Sequence, residues 1–169
     1  MNKYLDMNNV FLNGNVASEL KYNHESYGEK FYLFDLEVSR YSDYKDVLPV
    51  IISERLVDVE NIFVGQQVNI TGEIRSFNRY DNDKTRLIIT IFCKEIEFTD
   101  LPGRCCENNL VELEGTICKE PIYRVTPKGR EITDLLIAVN RRCGKGDYLP
   151  CVLWGRNARY AKKSEQEQG

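Results

Sequence analysis

Shifted by 101 residues, the chain falls on itself. Val10-Phe-Leu-Asn-Gly14 lands on Val111-Glu-Leu-Glu-Gly115, Tyr22 on Tyr123, Gly28 on Gly129, and Val38-Ser-Arg40 on Val139-Asn-Arg141. Asp46, Leu48 and Pro49 meet Asp147, Leu149 and Pro150, and Arg55 meets Arg156. Residues 8–55 give 13 identities over 48 positions without a gap, against roughly 3 expected from ordinary composition. The chain is a duplicated unit, and any fold proposed for it must be built twice.

The unit reads as β. Val10, Leu12, Gly14 and Val16 alternate with polar residues, so one face of a strand is buried. Gly14 and Gly115 interrupt that alternation, as glycine does at a bulge or barrel corner. A glycine turn (Gly28, Gly129) precedes second strands at about 30–39 and 131–140, and apolar strands follow at Leu48–Ile52 and Leu149–Trp154. In the first copy, a helical stretch is expected over about 56–63, ended by Gly65. Then come an alternating strand from Val68 and a long strand over Arg86–Phe98. Three strands, a helix and two strands in about 90 residues predict a five-stranded Greek-key barrel of the OB type; a plain β-sandwich is the alternative. The fold class expected is thus all-β, as tandem OB barrels. The first domain covers residues 1–98, a linker 99–108, the second domain 109–163 and a polar tail 164–169. A second copy matching the first to Phe98 would reach residue 199, so the second barrel is expected to lack its last two strands within this sequence.

Charge divides the two copies. Residues 1–100 carry 11 Lys and Arg against 17 Asp and Glu, a balance of −6; residues 101–169 carry 12 against 9, or +3. An anionic ligand is expected on the second copy. No apolar run approaches the roughly 18 residues of a membrane span, and the N-terminal residues have no signal-peptide core. The six cysteines read as reduced thiols of a cytoplasmic protein; they form no C-x-x-C pair. Cys118 and Cys151 fall on strands and are expected to pack as small hydrophobes. His24 is the sole histidine and reads as a surface residue. No catalytic, metal or cofactor site is expected.

Glu120-Pro121, Thr126-Pro-Lys-Gly129, Leu136-Ile-Ala-Val-Asn-Arg141 and Cys151-Val-Leu-Trp-Gly-Arg156 resemble the front half of bacterial single-stranded DNA-binding proteins. Val64-Gly-Gln-Gln-Val68 through Gly72-Glu-Ile-Arg75 resembles their back half, and primosomal replication relatives are close. The resemblance implies an OB barrel, single-stranded DNA held along the strands, oligomerisation, and a bacterial, nucleoid-associated location. It places stacking aromatics at Trp154 and Tyr148, which strand alternation puts on one face. Arg141 and Arg142, Lys145, Arg156, and Lys128 with Arg130 surround them, the mix of rings and cations a nucleic-acid groove needs. Trp154 as a core-edge residue and the cations as an ordinary solvated face are the alternatives. The family's acidic, aromatic-tipped tail has no counterpart here.

In the first copy the shift replaces Trp154 by Ser53 and Tyr148 by Val47, so its corresponding face has lost its rings. Tyr80, with Arg79, resembles a family contact loop, though an exposed hairpin-tip tyrosine is an equal reading. A division of labour follows, in which the second copy binds and the first is scaffold or assembly surface. The leading expectation is sequence-independent binding of single-stranded DNA in replication, recombination or repair, as a homo-oligomer touching replication or repair proteins. A protein–protein module with little DNA binding is the alternative, and RNA binding the third. An open barrel edge predicts oligomerisation.

Overall fold

A computed structural model describes residues 7–100 and 109–166 of the protein. The described residues form two compact units, the first from Asn8 to Leu113 and the second from Glu114 onward, together with Met7.

The first unit is a closed barrel. Its strands are β1 (Asn8–Val16), β2 (Lys21–Ser26), β3 (Glu29–Ser39), β4 (Lys45–Ser53), β5 (Gln67–Asp81) and β6 (Lys84–Phe98), joined at the edge by β7 (Leu110–Leu113). The sheet order is β2-β3-β4-β6-β5-β1-β7, and a second pairing of β1 with β3 closes it. β4 and β6 run parallel, Val50 opposite Ile91, while the other ladders are antiparallel. Val10, Leu12, Phe34, Leu36, Val50, Ile52, Val68, Ile70 and Ile91 fill the interior. These are the alternating apolar positions of each strand, and their burial is the main favourable term in closing the barrel.

Close approach explains Gly14. A Cβ there would collide with the Glu37 carbonyl oxygen, and a Cβ on Gly115 would collide with the Ala138 carbonyl oxygen. Glu37 and Ala138 are themselves 101 residues apart, so both copies make the same crossing. The β5–β6 hairpin turns on Asn82 and Asp83, with φ of 45° and 63°; Asn and Asp are the non-glycine residues that best tolerate this conformation.

The second unit holds β8 (Thr116–Ile117), β9 (Ile122–Val125), β10 (Glu131–Asn140), β11 (Gly146–Trp154) and α1 (Arg156–Gln166). Its sheet runs β11-β10-β8, with β9 also on β10. The helix packs through Ala158 and Ala161, both buried, and the Thr133 hydroxyl donates to the Ala158 carbonyl at 2.8 Å.

Several expectations change. The helix expected over 56–63 is a single 3₁₀ turn, Val59–Asn61, capped by Asp58. β2 was not expected at all. Part of the polar tail, residues 164–166, continues α1; residues 167–169, and the expected linker from 101 to 108, lie outside the described residues. The second copy's first strand divides in two. β8 pairs with β10, whereas β7 pairs with β1, Val10 opposite Val111. Those two valines are the residues the 101-residue shift superposes, so this ladder joins equivalent strands of the repeat, antiparallel about that pair. Cys118 is exposed rather than packed, its thiol directed to the Leu136 carbonyl at 3.3 Å. Cys151 is half-buried, and burial pushes its thiol pKa up.

Candidate nucleic-acid interface

β11 sorts its residues by alternation. Asp147 and Leu149 point inward and are buried, so Tyr148, Pro150, Val152 and Trp154 share the outer face. Tyr148 is 52% and Trp154 53% exposed. Six positions apart on an extended strand, the rings stand roughly 20 Å from each other. Across the sheet, Trp154 lies opposite Ile132 and Tyr148 opposite Ala138. The two rings thus rise from small or aliphatic neighbours on a rigid sheet, the setting in which a base can stack.

The cations divide into two roles. Arg141 grips Asp147 with both arms, Nε to Oδ2 at 2.7 Å and Nη2 to Oδ1 at 2.5 Å. Asp147 is completely buried and the guanidinium mostly so, so this arginine clamps the β10–β11 loop. Arg40 and Asp46, their equivalents in the first copy, make the same forked pair on the β3–β4 loop at 2.6 Å. There the pair is solvent-exposed, and each partner stabilises the other's charge: the hydrogen bond lowers the Asp46 pKa and raises that of Arg40. Arg142 and Lys145, on the loop that Arg141 clamps, are exposed, as are Lys128 and Arg130 at the β9–β10 turn and Arg156 at the start of α1. The Thr126 side chain fixes that turn by accepting from the Arg130 backbone amide at 3.1 Å.

Tyr80 and Arg79 belong to the first unit, near the tip of the β5–β6 hairpin, where Tyr80 is largely exposed. They are not brought together with Trp154 within one compact unit.

Residues not singled out in the sequence complete both outer faces. On the second unit, Arg124 pairs with Asp134 at 2.8 Å, and Lys162 lies over the Tyr123 ring at 4.2 Å. The Tyr123 hydroxyl donates to Glu131 at 2.6 Å, which raises its pKa. On the first unit, Ser53 is buried and bonded to Glu29. Rings are nonetheless present there. His24 stacks on Phe31 at 4.7 Å, Phe31 meets Phe92 at 5.9 Å, and the Arg75 guanidinium covers Phe92 at 3.6 Å. These rings cap one another and are covered by the chain's own cation. The alternation of β3 and β6 placed Phe31 and Phe92 on this face, but the direct comparison with positions 148 and 154 passed over them.

The closed barrel of the first unit is of the OB-fold type. Residues 108–167 match the model of the single-strand binding protein family. A single-stranded DNA-binding protein from Thermus aquaticus has the same fold, with a TM-score of 0.75 over 93% of this chain and 78% of its own, at 19% identity. The Plasmodium falciparum single-strand binding protein, solved with single-stranded DNA, aligns over 59% of this chain and 100% of its own, at 21% identity and a TM-score of 0.50. The dimeric N-terminal domain of PriB from Thermoanaerobacter tencongensis is 45% identical over 56% of this chain and 98% of its own, with a TM-score of 0.48. No curated protein matches the sequence. Among the described residues, no helix is long and apolar enough to cross a membrane.

Proposed function

We propose that the protein binds single-stranded DNA with little sequence preference, through the outer face of β10 and β11. The observation that carries this reading is the pair Tyr148 and Trp154, half-exposed on one face of a single strand. Bases stack on the two rings, each worth about 1–3 kcal/mol, while Arg142, Lys145, Arg156, Lys128 and Arg130 neutralise phosphates. Arg141 acts at one remove, holding the loop that presents Arg142 and Lys145. Tyr80 and Arg79 form a further contact on the first unit. The match of residues 108–167 to the single-strand binding protein family supports the assignment.

The protein acts without catalysis, in the bacterial cytoplasm alongside the nucleoid, as a homo-oligomer serving replication, recombination or repair. The two domains divide the work. The first copy carries −6 and has Ser53 and Val47 where the second has Trp154 and Tyr148, which favours a scaffold or assembly surface there. A mobility-shift assay with oligo-dT, oligo-U and duplex DNA tests the reading. Retardation of oligo-dT, abolished by Tyr148→Ala combined with Trp154→Ala but not by Phe92→Ala, is the expected result. Equal retardation of the duplex, or no loss in the double variant, would contradict it.

A further inference from the structure

Sheet register lays out the outer face of β10 and β11 in rows: Ile132 opposite Trp154, then Asp134 opposite Val152, and at the far end Ala138 opposite Tyr148. Residues on one face of a strand recur roughly every 7 Å, so Asp134 stands in the row next to Trp154, beside the line that joins the two rings. The other positions between the rings are apolar. A carboxylate is the one charged group that these two strands place along that line.

A neighbouring strand holds it. Arg124 lies opposite Ile132 on β9, and its Nε donates to Asp134 Oδ2 at 2.8 Å. The second carboxylate oxygen, Oδ1, accepts no bond among the described residues. The Nε bond leaves the two terminal nitrogens of the guanidinium as further donors. The barrel does not call for this pair. Its counterparts 101 residues earlier are Asn23 and Leu33, and the first copy folds with an aliphatic side chain where the second has its carboxylate. An ion pair partly open to water, as this one is, also adds little to stability.

We propose that Asp134, oriented by Arg124, selects the base lying between Trp154 and Tyr148, favouring one with an exocyclic amino group beside a ring-nitrogen acceptor: cytosine or adenine over thymine or uracil. This selection rests on the DNA binding proposed for the same face, and adds a preference at one nucleotide to stacking that accepts any base. An ionised carboxylate only accepts. Asp134 takes a hydrogen bond from the cytosine N4 amino group, as carboxylates do in reading that base, and a terminal nitrogen of Arg124 donates to the cytosine N3. Thymine and uracil present a carbonyl oxygen in place of the amino group, and the two oxygens repel. Phosphates are repelled by the same charge. Base edges therefore turn toward β10, and the backbone is left to Arg142, Lys145 and the other exposed cations.

The test compares oligo-dC with oligo-dU, whose bases share one ring and differ in carrying an amino or a carbonyl group at C4. Affinities are measured on the full chain at pH 8, by mobility shift and by Trp154 fluorescence. Oligo-dC is expected to bind roughly three- to tenfold tighter, the gain from one hydrogen bond to a charged group partly open to water. In Asp134→Asn, whose amide offers both a donor and an acceptor, the ratio of the two affinities is expected to fall to about one. Asp134→Ala is expected to remove the preference as well. Saturable binding of both oligonucleotides with equal affinity would overturn the selection alone, as would a cytosine preference that survives both variants. Failure of the unmodified chain to bind either one would overturn it together with the DNA binding it rests on.

Discussion

Tyr148 and Trp154 owe their exposure to strand parity, and Asp147 between them owes its burial to the same rule. That arrangement separates two kinds of substitution. Trp154→Ala removes a ring from the outer face and is expected to weaken oligo-dT binding by about 1–3 kcal/mol, with the melting temperature little changed. Asp147→Ala strands Arg141 beside a buried vacancy. A loss of about 3 kcal/mol in urea unfolding is expected, the low end for breaking a buried pair because water reaches part of the guanidinium. Asp46→Ala, at the exposed copy of the same pair, is expected to cost far less. Glu73 supplies a pH test. Burial pushes its carboxyl up, but bonds from Lys94 and Arg75 outweigh this, and its pKa ends below the ordinary value. A carboxylate depressed in the folded state stabilises above its unfolded pKa, and that contribution is lost as pH falls through the folded one. Glu73→Gln is therefore expected to narrow the stability gap between neutral and acidic pH, measured by urea unfolding at pH 7 and below pH 4. Burial also pushes the Cys93 thiol up to about 12, which keeps it protonated and unreactive. Mass-spectrometric mapping after brief alkylation at pH 8 is expected to label Cys118 and Cys143, both exposed, and to spare Cys93.

The elements that the sequence announced are those whose side chains are sorted by burial. β10 was expected over 131–140 and occupies Glu131–Asn140, because Leu135, Ile137 and Val139 repeat Phe34, Leu36 and Val38 of the first copy and follow the Gly129 turn. β2 was missed because all but one of its six residues are exposed. It is held by backbone bonds to β3, which leave no mark on hydropathy. α1 was missed for a related reason: among the residues whose burial is described, its buried ones are two alanines, Ala158 and Ala161, too small to register as an apolar stripe among arginines and lysines. In the first copy the corresponding segment carries Val57-Asp58-Val59, and β-branched residues with a capping aspartate favour one 3₁₀ turn over a longer helix. The glycine crossing was legible, and it can be tested. Gly115→Ala forces a Cβ onto the Ala138 carbonyl oxygen; a loss of about 1–3 kcal/mol, as for other overpacked sites, is expected in thermal or urea unfolding.

At the scale of the whole chain, duplication with divergence accounts for most of what sequence and structure have in common. Equal spacing preserved the Arg–Asp clamps, the glycine crossings and the barrel-facing aliphatics, while the net positive charge and the rings at positions 148 and 154 belong to the second copy alone. What the repeat did not disclose is where each retained group points its chemistry. Arg141 matched the basic footprint by position, yet its guanidinium is held by Asp147, and only the fold shows this. The proposed site uses five exposed cations of the second unit, Arg142, Lys145, Arg156, Lys128 and Arg130. Each phosphate neutralised on a single strand contributes about 0.7 to the slope of log affinity against log salt, so a slope of about −3.5 is expected, reduced by one such step in Arg142→Ala. The central claim, that the strand lies on the second copy, is tested most directly through the chain's single tryptophan. Oligo-dT is titrated against Trp154 fluorescence at low and moderate salt. Saturable quenching that salt reverses is the predicted result. Binding detected by mobility shift with Trp154 fluorescence unchanged would contradict the account.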